Sequence, residues 1–140
     1  MRVMKPLLIL TTVLLLFAGA SLKGQSMIDL TKEEVRVMVK EKHMEFRRDK
    51  SVVNQRFNYL KYVNGLRTRT WIIYFTDEDI CRSSKLVCEY GEYDEVLEDL
   101  NEAHEKVGES EWSYDLNGDS IQVILARQEW YFTVREARKK

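Results

Sequence analysis

Apolar and polar positions recur along this chain with two periods, and the switches between them mark out the elements. Thr31-Lys32-Glu33-Glu34 has the spacing of a capping box: the Thr31 hydroxyl accepts from the Glu34 backbone N–H while the Glu34 side chain reaches back to the cap. Leu30 and Val35 flank it as a hydrophobic staple, and Val35, Met38, Val39 and Phe46 form a stripe that predicts a helix running to about Phe46. Aromatic-rich residues 55–63 lead to Asn64-Gly65, a pair with easy access to positive φ, which predicts a strand and a tight hairpin turn. Residues 68–76, β-branched and aromatic, form the return strand. After the polar turn Asp77-Glu78-Asp79, residues 80–90 read as a third strand with Ile80, Leu86, Cys88 and Tyr90 on one face.

The second half repeats the order. Tyr93, Val96, Leu97, Leu100, Ala103, His104 and Val107 fall at helical spacing, with Gly108 where a left-handed C-cap favours glycine. Trp112, Tyr114 and Leu116 then alternate with polar residues, Asn117-Gly118 signals another hairpin, and Ile121, Val123 and Leu125 alternate in turn. Beyond Gln128-Glu129 a last strand places Trp130, Phe132 and Val134 on its inner face.

These elements predict an α+β fold: two α-β-β-β units forming a mainly antiparallel sheet, with two helices packed on one face and the other face left partly open. This order, spanning nearly the whole chain after its N-terminal segment, resembles exported domains of the PepSY-like and β-lactamase-inhibitor-like kind. The resemblance implies a protein that acts by binding or inhibiting another protein. It is one of topology and carries over no motif residue.

The N-terminal segment has a different character. Arg2 and Lys5 precede an uncharged apolar run, residues 7–20, too short to span a bilayer comfortably and suited to the core of a secretory signal. Ala18-Gly19-Ala20 and the Gly24-Gln25 junction both offer cleavage sites, so the expectation is a signal peptide over residues 1–25 and one domain over residues 26–140, periplasmic or extracellular, without a remaining membrane span. Neither Cys81 nor Cys88 follows the apolar run as a lipidation site would. Cleavage after Gly24 removes three of the 22 cations and no acid, leaving 19 against 23 acids, a net charge of −4. That balance, with export, argues against nucleic acid as a partner.

Signals for chemistry are sparse. Seven residues on one straight strand would hold Cys81 and Cys88 roughly 23 Å apart on opposite faces, beyond disulfide reach. The alternatives are a bond across a hairpin at residues 82–85, or a thiol-dependent hydrolase built on one cysteine. His43 and His104, the only histidines, stand near predicted helix C-termini, where the macrodipole favours a cation, and neither belongs to a metal-ligand cluster. Asp115-Leu116-Asn117-Gly118-Asp119 departs from a calcium loop at its glycine, and the twelfth residue is Ala126 where a glutamate is required. No metal and no cofactor is expected.

Charge is polarised. Glu92, Asp94, Glu95, Glu98, Asp99, Glu102 and Glu105 load the second helix, while Arg47, Arg48, Lys50, Arg56, Lys61, Arg67 and Arg69 gather around the first hairpin among aromatic residues. Tyr59, Tyr62, Arg67, Arg69 and Trp71 are therefore the candidate anchors of a non-catalytic module that holds a protein or peptide on the exposed sheet face. The alternative is a carrier with an apolar ligand between sheet and helices.

Overall fold

The computed structural model describes residues 26–51 and 54–140. The apolar run of residues 7–20 and both candidate cleavage junctions lie outside the described residues. Among those described, no helix is long and apolar enough to cross a membrane.

The architecture is α+β. An eight-stranded antiparallel sheet carries two α-helices, α1 (Lys32–Lys42) and α2 (Tyr93–Ala103). Its strands are β1 (Phe46–Arg48), β2 (Tyr59–Asn64), β3 (Arg69–Phe75), β4 (Cys81–Glu89), β5 (Glu105–Gly108), β6 (Glu111–Leu116), β7 (Asp119–Arg127) and β8 (Tyr131–Arg138). The order β1-β2-β3-β4-β8-β7-β6-β5 runs from the start of one half to the start of the other, with β4 and β8 as the central pair.

Each helix is thus followed by four strands, one more than the periodicity predicts. The extra strands are the short outer ones, β1 and β5. Phe46-Arg47-Arg48 is too brief to show alternation, and Phe46 packs on the core from this strand and not from a helix, because α1 ends at Lys42. Residues 105–108 continue the apolar spacing of α2 by accident. His104 is extended at φ −134, ψ 161, which ends the helix, and Val107 is exposed on the outer strand, so Gly108 caps nothing.

Local chemistry explains the ends. The α1 capping box is present in both directions: Thr31 Oγ1 accepts from Glu34 N at 3.1 Å, and Glu34 Oε1 accepts from Thr31 N at 3.1 Å. Asn117 and Gly118 both take positive φ, 51° and 89°, and join β6 to β7 with Leu116 opposite Asp119, the two-residue hairpin their sequence predicts. The Asn64-Gly65 turn forms differently. Here Arg67 occupies the left-handed region at φ 58, and the Asn64 side chain accepts from the N–H groups of Thr68 and Arg69, both at 2.9 Å, so side-chain hydrogen bonding shapes a longer loop.

Both helices lie on the same face of the sheet. Val35 and Val39 of α1 pack with Leu60, Tyr62, Ile73, Phe75 and Cys81, whereas Val96 of α2 packs with Cys88, Trp112, Val123, Leu125, Phe132 and Val134. A strap of residues 26–31 pairs with the start of β4, with Met27 and Ile28 buried. It is fastened by Asp29 N donating to Cys81 O (2.9 Å), Cys81 N donating to Leu30 O (2.8 Å) and the Arg138 guanidinium on the Asp29 carboxylate.

Two expected orientations change. Trp130 stands in the β7–β8 turn and is 80% exposed, while Phe132 and Val134 keep the inner face. A β-bulge pairs Tyr74 with Ser83 but Phe75 with Cys81, skipping Arg82. That extra residue shifts the alternation by one, so Cys81 and Cys88 point to the same face and not to opposite ones.

Candidate functional site

Cross-strand register shows how the sequence-predicted anchors are distributed. Tyr62 is opposite Trp71, and both share the helix face with Leu60 and Ile73. Tyr62 is only 6% exposed, and Trp71 is covered by His43 and Phe46, whose ring centroids lie 5.0 and 5.4 Å from its own. Arg69 also points to the helix side, opposite Cys88, where its guanidinium meets Glu92 at 3.2 Å and Glu95 at 3.4 Å and ties β3 to the start of α2. Arg67 is exposed at the loop tip and lines a hollow of about 450 Å³ with Arg47 and Arg48. Tyr59 alone of the five lies on the open face, opposite Tyr74, its hydroxyl accepting from Asn54 N at 3.0 Å. The five candidates therefore do not form one surface. Period-two alternation sends Tyr62, Arg69 and Trp71 to the side opposite Tyr59.

The open face has a different centre. One transverse row runs Lys61, Ile72, Lys85, Arg135, Ile124, Glu111 across β2, β3, β4, β8, β7 and β6. Lys85 and Arg135 are direct cross-strand neighbours, and like charges in that position repel. Among the described residues neither makes an ion pair, and nor does Arg82, which the bulge projects beside them, whereas Lys61 meets Asp49 at 3.4 Å. Two adjoining hollows follow this row, one of about 280 Å³ and one of about 520 Å³, and they share Phe57 and Tyr74. Their floor is apolar or small: Ile72 in the first, Ala126, Ile124 and Thr133 in the second. On the open face of the four central strands the one acid is Glu89, four positions from Lys85 and roughly 13 Å along the strand.

Sequence reasoning missed this row because its assembly depends on the pairing of β4 with β8, which is remote in sequence. A signal was nevertheless present. Ile72 and Ile124 are apolar residues standing out of phase with the buried positions of their own strands.

Beneath the helices, the groups capable of chemistry are closed off. Burial raises the Cys81 thiol to about 12 and the Cys88 thiol to about 11, and both cysteines are free. A nucleophilic thiol needs the opposite shift. Glu136 is half-buried between the two cores, its carboxyl pushed upward by desolvation and receiving the Tyr114 hydroxyl, which also contacts Ser26 Oγ at 2.7 Å. His104 stacks on Tyr114 at 4.7 Å and 17°, with its Nδ1 buried and unpartnered. Burial lowers both His43 and His104, so packing, not the helix dipole, sets their state. Among the described residues, no three His, Cys, Asp or Glu side chains are grouped to hold a metal ion.

Comparison with protein-family models, with curated proteins and with solved structures finds no match.

Proposed function

We propose that the chain is an exported, non-catalytic binding module that holds a protein or peptide on the open face of its sheet. The observation that carries this reading is the unpaired juxtaposition of Lys85 and Arg135 beside apolar hollows. A repulsive contact at the centre of a surface opposes stability, and such local conflicts are retained where a surface has work to do. The PepSY-like and β-lactamase-inhibitor-like resemblance belongs to this proposal as an analogy of element order alone, and each helix here is followed by four strands where the expected unit has three.

A photo-reactive residue at Ile124 on the open face, and another at Val37 on the outer side of α1, test this in the native exported fraction. Covalent adducts are expected from position 124 and not from position 37. Equal labelling from both, or labelling at 124 unchanged by Lys85→Thr with Arg135→Thr, overturns the reading. N-terminal sequencing of the purified protein tests export: Ser21 or Gln25 is the expected first residue, and retention of Met1 counts against it.

A further inference from the structure

Resting on that reading, we propose that the partner presents an extended acidic segment of the pattern apolar–x–acid–x–apolar, laid across the strands along the row Ile72, Lys85, Arg135, Ile124. Strands lie about 4.8 Å apart, so a carboxylate midway between Lys85 and Arg135 stands about 7 Å from Ile72 on one side and from Ile124 on the other. In an extended peptide, side chains on one face recur every two residues, again about 7 Å. One carboxylate then meets two cations, and apolar side chains two positions away on either side meet the two isoleucines.

Charge selects this occupant. Arg82 adds a third unpaired cation beside the pair; of the open-face acids nearby, Glu111, at the end of the row beyond Ile124, already accepts from the Gln122 amide, and Glu89 stands at the far end of β4. The paired hollows continue from β2 to β7, about 19 Å by strand spacing, which suits a segment of roughly six extended residues.

The test uses fluorescein-labelled peptides built on Leu-Ser-Glu-Ser-Leu, with Gln or Lys in place of Glu, and anisotropy titration of the chain from residue 25 onward. The Glu peptide is expected to bind about tenfold or more tighter than the Gln peptide, the scale of one charge-assisted contact, and to weaken with salt. Lys85→Glu with Arg135→Glu should abolish that preference and favour the Lys peptide, with circular dichroism and melting confirming that the variant folds. Equal affinity for the Glu and Gln peptides overturns the proposal. So does laurate binding as tightly as the Glu peptide with the same dependence on Lys85 and Arg135, which assigns the face to a small anion. Sedimentation showing self-association that the double reversal abolishes assigns it instead to the acidic α2 of a second copy. If the peptides fail while position 124 still labels a partner, the binding face stands and only the acidic segment falls.

Discussion

Lys85 and Arg135 face each other across the central β4–β8 seam, with Ile72 and Ile124 as their outer neighbours in the same row. An uncharged pair at this position would avoid the cross-strand repulsion. Arg135→Thr is therefore expected to stabilise the domain, by about 0.2–1 kcal/mol, through relief of cross-strand repulsion and gain of a β-branched residue. Urea midpoints at low salt read the effect, and it should shrink at high salt as the charges are screened. A loss of stability would mean that Arg135 has a structural partner.

The thiols make a second expectation. Cys81 and Cys88 are 0% and 1% exposed, and burial raises both toward protonation. In the folded state neither should react with a thiol-specific chromogen at neutral pH, and both should react at once in denaturant. Fast labelling of the native protein would contradict the packing and reopen a thiol enzyme.

Glu136 sets a pH dependence of definite sign. Its native carboxyl is raised above the ordinary glutamate value, chiefly by desolvation, so the folded chain retains a proton that the unfolded chain releases. The corresponding stability is complete below the ordinary value and is lost as pH rises through the native one. Glu136→Gln keeps an oxygen to accept from the Tyr114 hydroxyl and carries no charge at any pH. It should be more stable than the parent at about pH 8 and comparable at about pH 4, as read from denaturant midpoints. Tyr114→Phe, which leaves Glu136 and Ser26 without this hydroxyl, should cost about 1–3 kcal/mol.

What could be read in the sequence follows the range of the interactions involved. The α1 capping box and the Asn117-Gly118 hairpin form as their residues predict, because three or four neighbouring positions determine them. The α+β class with its antiparallel sheet was legible for a related reason, since each strand's alternation is local. Composition marks an aromatic and basic region without saying which phase of a strand faces the helices, so it places Tyr62, Arg69 and Trp71 on the open side, whereas the register puts them on the helix side. That phase is settled when Val35 and Val39 settle onto Leu60 and Ile73. The Arg82 bulge could not be foreseen either, and it alone reverses the relation of Cys81 to Cys88. The Lys85–Arg135 row needed the pairing of strands separated by the whole of α2, β5, β6 and β7, for which periodicity provides no register.

His104 offers a last test, at the acid end of the pH range. Its ring is stacked on Tyr114, its Nδ1 is buried without a hydrogen-bond partner, and desolvation lowers its pKa. A base held below its ordinary value leaves stability complete above that value and lost as pH falls through the native one, because the unfolded chain then takes up the proton first. His43, lowered by burial against Trp71, acts in the same direction, opposite to Glu136. His104→Phe preserves a flat ring against Tyr114 and removes the unpartnered nitrogen. We expect it to be neutral or to gain about 1 kcal/mol at neutral pH, with a shallower loss of stability on acidification and the contribution of His43 remaining. Measured melting temperatures across the acid range decide it: a variant less stable than the parent at neutral pH would show that Nδ1 has a partner, an ordered water in that core.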